Sequence, residues 1–171
     1  AGAEEGKSRT GQRRKKRAEE IRARVQVRNI PYLVHFTPIA NVTSILRDGL
    51  RSRNSLAGQY FFFTDEHRAD GWLDWISASV SFPNYKMFYA KKNSLRDIDG
   101  WAVILLRREA LWELDCKFIL TNASSFGIRM FREEKWSTAR AFEGMFNCVE
   151  HRIGIPDFYT TDPQAEVMIR D

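Results

Sequence analysis

Two short groups of residues have the makings of a reaction site. In His35-Phe36-Thr37 an imidazole and a hydroxyl lie two residues apart. In Pro163-Gln164-Ala165-Glu166-Val167-Met168-Ile169 an amide and a carboxylate alternate with apolar residues. If the second group is a strand, Gln164 and Glu166 point to one face and Ala165 and Val167 to the other. An acid and an amide side by side at a strand entrance could serve one reacting centre. On this motif alone, the favoured reading is an edge strand with its polar residues in water. A lone histidine in an apolar strand is, in the same way, most often a satisfied core residue.

Other chemistries find less support. There is no G-x-S-x-G elbow and no local cysteine signature for nucleophilic catalysis. The phosphate-cradling patterns G-x-G-x-x-G and G-x-x-x-x-G-K-[ST] are missing. Two cysteines, Cys116 and Cys148, with His35, His67 and His151 spread along the chain, offer no metal-ligand spacing. No metal is therefore expected. The acid pairs Asp65-Glu66 and Glu133-Glu134 read as solvated.

The elements that would position these groups follow from patterning. Tyr32 to Phe36 reads as a short buried strand. Thr37 is expected to cap a helix with Pro38 at its first position. Ile39, Val42, Ile45 and Leu46 would form the apolar face of that helix, and Gly49 would stop it. Tyr60 to Phe63 is a further candidate strand. Ile76, Ala78, Val80 and Phe82 alternate with serines, as in a half-buried strand that Pro83 ends. Asn84 to Lys92 reads as a helix, Trp101 to Leu106 as a central strand, and Glu109 to Leu114 as a helical turn or short helix. Lys117 to Leu120 reads as a strand, Ala139 to Phe146 as a helix and Ala165 to Ile169 as a last strand. Strands and helices mix without regular alternation, which points to an α+β domain.

The chain of 171 residues, 43% apolar, suits one domain with a short appendage. No stretch approaches the roughly 20 apolar residues of a membrane span, and no signal-peptide h-region is seen. A soluble, cytoplasmic protein is expected. The net charge of +5 is unevenly placed. Residues 1–30 hold ten basic and four acidic residues, whereas residues 31–171 hold seventeen and eighteen. A basic leader or helical arm over residues 1–29, centred on Arg13-Arg14-Lys15-Lys16-Arg17, would thus precede the domain at 30–171. Such a run can contact phosphates, or it can be only a solvated tail.

The order of the pieces resembles the DarT family, toxins that ADP-ribosylate single-stranded DNA with NAD. The resemblance rests on His35-Phe36-Thr37, Asn41, Ser44-Ile45-Leu46 and Gly49-Leu50, then Arg68, then Ser81-Phe82-Pro83-Asn84-Tyr85-Lys86-Met87-Phe88-Tyr89, and finally Gln164-Ala165-Glu166. It covers about residues 30–171. It implies a mono-ADP-ribosyltransferase fold, with two small sheets around an NAD cleft and flanking helices. The chain ends five residues after Glu166, where the pattern leads one to expect a further strand or more, so the expectation is either a fragment or a short member of the family.

By this resemblance Glu166 is the catalytic acid, holding the ribose 2′-hydroxyl and facing the oxocarbenium-like centre left when nicotinamide departs. Arg68 would bind the pyrophosphate, as a guanidinium fork suits phosphate oxygens, and would help activate the base. His35, Phe36 and Thr37 would hold the nicotinamide side of NAD, and Ser44 and Ser52 would line its pocket. DNA recognition would fall between about Asn122 and Glu166. Gln164 would select the base there, while Arg129, Arg132, Trp136 and Tyr159 supply charge and stacking platforms. The implied partners are single-stranded DNA, NAD and an antitoxin that reverses the modification. An ADP-ribosyltransferase acting on RNA or protein, or a non-catalytic nucleic-acid-binding module, are the alternative readings.

Overall fold

The leader is helical. In the computed structural model, which describes residues 2–59, 71–94, 99–124, 128, 133–147, 154 and 156–171, helix α1 spans Gly2–Val27. From Thr10 to Lys16 it is exposed, whereas Ile21 and Val25, one turn apart, are buried in the main core. Side chains i and i+4 share a helix face, and each buried aliphatic side chain contributes about 1.5–3 kcal/mol. The helix stops where Asn29 takes φ +52°. Its N–H reaches the Gln26 carbonyl at 3.0 Å, and the Ile30 N–H reaches the Val25 carbonyl at 3.2 Å. Asparagine tolerates that left-handed conformation, and the paired bonds satisfy carbonyls that the helix end leaves open. Arg17 pairs with Asp115 at 3.1 Å and Arg24 with Glu143 at 3.5 Å, joined there by Arg28 just past the helix at 2.7 Å, so the second half of α1 is tied to the domain.

Among the described residues, five strands form one antiparallel sheet in the order β3-β1-β2-β5-β4, with β1 Tyr32–Pro38, β2 Trp75–Val80, β3 Trp101–Arg107, β4 Cys116–Ile119 and β5 Glu166–Arg170. The expected two small sheets are thus joined into one, because β2 pairs on both sides. Its first half lies against β5, from Trp75↔Arg170 to Ala78↔Val167. Its second half meets β1 through Ser79↔Val34 and Val80↔Leu33. The run Trp101 to Leu106, expected at the centre, is at the edge of the sheet formed by the described residues. With β1 its one described neighbour, Val103 and Leu105 are more than half exposed.

Besides α1, the helices that lie wholly among the described residues are α2 Val42–Asp48, α3 Tyr85–Ser94, α4 Ala110–Glu113 and α5 Ala139–Gly144. Their ends fall within two residues of the patterning. The start of α2 is different. β1 stays registered with β3 through Pro38↔Trp101, and the Ile39 N–H continues to the Gly100 carbonyl at 2.9 Å. A 3-10 turn over Ile39–Asn41 then leads into α2. Thr37 is therefore a strand residue, and its hydroxyl accepts from Asn41 Nδ2 at 3.1 Å instead of capping a helix. The supposed core face of α2 is not buried either: Leu46 is 82% exposed. The candidate strand Tyr60 to Phe63 lies outside the described residues.

The main core lies between the sheet and α1, α4 and α5, with Phe118 edge-on to Phe142 at 5.2 Å. A second cluster covers the opposite face with Ile119, Ala123, Ile128, Trp136 and Met168. Val167 and Ile169 serve the first core and Met168 the second, as strand alternation requires.

Candidate active site

The strands part at His35. β1 and β2 are paired at Leu33 and Val34, but from His35 onward β3 is the only neighbour of β1 among the described residues. The His35 ring bridges the opening, its Nδ1 lying 2.8 Å from the Ser77 carbonyl oxygen. A carbonyl can only accept, so Nδ1 carries the proton, and in the neutral ring Nε2 is left as an acceptor. Burial pushes the His35 pKa below its ordinary range, against the smaller opposing effect of the Ser77 bond. The neutral ring is thereby favoured.

A cavity of about 380 Å³ opens along this parting, a size suited to a small-molecule site. It brings together His35, Phe36, Thr37, Ser44, Ser52 and Glu166, residues spread over most of the chain. Phe36 is fixed by edge contacts to Phe88 at 5.6 Å and a tilted contact to Trp101 at 5.9 Å. Ser44 donates to the Asn41 carbonyl at 2.9 Å, which leaves its oxygen able to accept. The apolar side of α2 supplies Ile45 to the cavity wall, which explains why it is not core.

Glu166 opens β5 and is 7% exposed. Its Oε1 accepts from Ser77 Oγ at 3.0 Å and its Oε2 from the Ala123 N–H at 2.7 Å. Two donors from different elements thus fix one carboxylate at the cavity wall. Ser77 and Ser79, read from the sequence as the watery side of a half-buried strand, instead face this cavity.

At the other end of β5, Asp171 holds the loop after α2. Its Oδ2 accepts from the Ser52 N–H at 2.8 Å and its Oδ1 from Arg51 at 3.1 Å. Desolvation alone would raise this carboxyl; hydrogen bonds from Ser55, Ser52 and Arg51 outweigh it and hold the pKa at about 2. Ser52 is fully buried, and its hydroxyl donates to Ser55 Oγ at 3.2 Å. Between the two ends, the Lys117 ammonium lies 4.0 Å from the Trp72 ring and 3.9 Å from that of Trp75, a cavity-lining residue. Cation–π contacts of this kind stabilise most where water is excluded.

The DNA-contact set is less united. Gln164 does not share a strand face with Glu166. It sits in a turn closed by the Ala165 N–H on the Asp162 carbonyl at 3.0 Å, and its own N–H goes to Asp162 Oδ1 at 2.8 Å. Such an aspartate-led turn ends before the strand begins. Trp136, expected as a stacking platform, is 4% exposed in the second cluster, so its ring is core. Tyr159 is half-buried and stands edge-on to exposed Phe82 at 5.9 Å. Arg68, Arg129 and Arg132 lie outside the described residues.

Reading the sequence missed the partners of Glu166, namely Ser77 and the Ala123 amide, and the Asp171 clasp. The alternation of Ser77 and Ser79 with apolar residues was the available signal. Cys116 is no nucleophile: burial pushes its thiol up to about 12. Among the described residues, no group of three His, Cys, Asp or Glu side chains is placed to hold a metal ion, and no helix is long and apolar enough to cross a membrane.

Comparison with curated proteins returns no match to this chain. Residues 34–171 match the family model of DarT, the ssDNA thymidine ADP-ribosyltransferase. The span runs from β1 to the end of β5 and includes every described cavity residue named above. The chain belongs to this family of NAD-dependent ADP-ribosyltransferases.

Proposed function

We propose that this protein transfers ADP-ribose from NAD to a thymidine base in single-stranded DNA, releasing nicotinamide, and that it acts in the cytoplasm as the toxin of a toxin–antitoxin pair. The observation that supports this reading best is the Glu166 carboxylate, held by Ser77 and Ala123 in the cavity that His35, Phe36 and Thr37 also line.

In the proposed reaction the bond between nicotinamide and ribose C1′ breaks, and the electron pair leaves with nicotinamide. Glu166 accepts a hydrogen bond from the ribose 2′-hydroxyl and opposes the positive charge developing on the ring. A thymine atom then bonds to C1′ and its proton is released. His35, Phe36 and Thr37 hold the nicotinamide side, and Ser44 and Ser52 line the rest of the pocket. Arg68 binds the pyrophosphate and helps activate the base. Gln164, Tyr159, Arg129 and Arg132 contact the DNA strand. The partner is an antitoxin that removes the modification.

Incubation with NAD labelled on its adenylate portion tests this directly. Label is expected on single-stranded oligonucleotides containing thymidine and not on those lacking it. Transfer to RNA or protein alone would replace the reading with the corresponding alternative. For the toxin role, expression in cells should arrest growth while Glu166→Gln does not; equal growth for the two would remove it.

A further inference from the structure

We propose that Asn84 positions the substrate by donating its side-chain N–H to an oxygen at the reacting end of NAD, either the nicotinamide carboxamide or the adjoining ribose hydroxyls. The proposal rests on NAD being the donor in this cavity. Asn84 immediately precedes α3, is 2% exposed and lines the cavity with Ser77, Ser79 and Glu166. Most of its polar atoms have structural partners. Oδ1 accepts from the Met87 N–H at 3.0 Å and so caps the helix. The backbone N–H goes to Ser79 Oγ at 3.2 Å, and the carbonyl accepts from the Phe88 N–H at 2.9 Å. Since a backbone N–H can bond only to the side-chain oxygen, the cap fixes which way the amide faces.

That leaves Nδ2, which is buried and has no hydrogen-bond partner among the described residues. Buried donors are rarely left this way, because water is lost and nothing replaces it. Capping does not account for it: serine, threonine and aspartate cap as well and leave no surplus amide. A ligand atom is the missing acceptor. The turn before Asn84 is itself unusual, with Ser81 at φ +61° and the Phe82 N–H closing back on the Val80 carbonyl at 2.6 Å. It carries the chain from β2 directly to the cavity wall.

Register says which end of NAD is meant. Ala78 pairs with Val167, so Ser79, and Asn84 bonded to it, lie toward the Glu166 end of β5. Trp75 pairs with Arg170 at the opposite end, where Arg51 meets Asp171. A neutral amide suits a carbonyl or hydroxyl oxygen.

Asn84→Asp keeps the capping oxygen and both backbone bonds while turning the donor into an acceptor. Asn84→Ser keeps a cap and adds no charge. Both variants should melt like the wild type, yet bind NAD at least about tenfold more weakly by calorimetry, a loss of about 1.4 kcal/mol. The KM for NAD should rise in step, with the KM for oligonucleotide unchanged. If ADP-ribose binding is equally weakened the acceptor is a ribose hydroxyl; if it is spared the acceptor is the carboxamide. Wild-type NAD affinity in Asn84→Ser would overturn the proposal, and weakening in Asn84→Asp alone would also do so by assigning the effect to charge. Should the wild-type protein itself fail to bind NAD, the functional reading fails first.

Discussion

Replacing Glu166 with glutamine tests the centre of the mechanism while sparing the fold. The two donors that hold this side chain differ in kind. The Ala123 N–H can only donate, so the glutamine oxygen must take that place, at the 2.7 Å contact now made by Oε2. The amide nitrogen then faces Ser77 Oγ, now 3.0 Å from Oε1, and a hydroxyl can turn to accept. Both contacts therefore survive, and melting should be close to wild type. What disappears is the negative charge opposite the oxocarbenium. Losing one preorganised electrostatic partner of a transition state costs roughly a hundredfold to a thousandfold in rate, about 2.7–4 kcal/mol. Glu166→Ala makes the contrast, because it strands the buried Ala123 N–H. That adds a folding cost of about 1–3 kcal/mol, or roughly 3–10 °C in melting temperature for a chain of this length. Single-turnover transfer from adenylate-labelled NAD, read beside NAD affinity, separates the two effects. Wild-type transfer by Glu166→Gln would refute the assignment, as would a loss explained wholly by weaker NAD binding.

Other perturbations have defined outcomes. Arg68→Ala should weaken NAD binding and transfer, with Arg68→Lys restoring only part because a point charge cannot reproduce a planar fork; damage confined to substitutions at Arg51 or Arg53, both cavity-lining, would move the pyrophosphate role to them. His35 has a folded pKa below its ordinary 6.5, so below that pH the unfolded chain binds the extra proton. Stability should be full above pH 6.5 and fall as pH drops toward the folded pKa; comparing melting at pH 5.5 and 7.5, His35→Asn should show a smaller drop than wild type, and equal drops would refute this. Neutralising Arg13, Arg14, Lys15 and Lys16 together should weaken binding to a thymidine oligonucleotide and flatten its salt dependence by up to about 3 in log–log slope, without changing which base is modified. An unchanged slope would make this part of α1 only a solvated helix. Deleting residues 1–30 is the wrong form of that experiment, since it removes Ile21 and Val25 from the core.

Much of the candidate site was legible because it is built from short motifs, each of them local in sequence. His35-Phe36-Thr37 and Glu166 are recognisable by type and order, and the cavity joins them. Elements with strong local patterning, such as β2 and α3, were legible for the same reason. Pairing between distant strands leaves no such mark: an apolar run like Trp101 to Leu106 suits a central strand or an edge equally. Serines on β2 looked watery because alternation reports two faces without saying what covers each. Trp136 was misread because a tryptophan among basic residues resembles a stacking platform, and only the fold shows it filling the space beside Met168. Gln164 was placed on the strand because the pattern does not mark where the Asp162 turn ends.

Strand β5 also acts as a yardstick. At roughly 3.3 Å per residue, the stretch from Glu166 to Asp171 covers on the order of 17 Å. One end carries the carboxylate between Ser77 and Ala123, and the other buckles the loop at Ser52. A single inserted or deleted residue between them would throw every side chain beyond it to the opposite face. Glu166 and Asp171 would then no longer be in place together, so chemistry and loop anchoring should be lost in the same step. Variation in the length of this enzyme is therefore expected to spare β5.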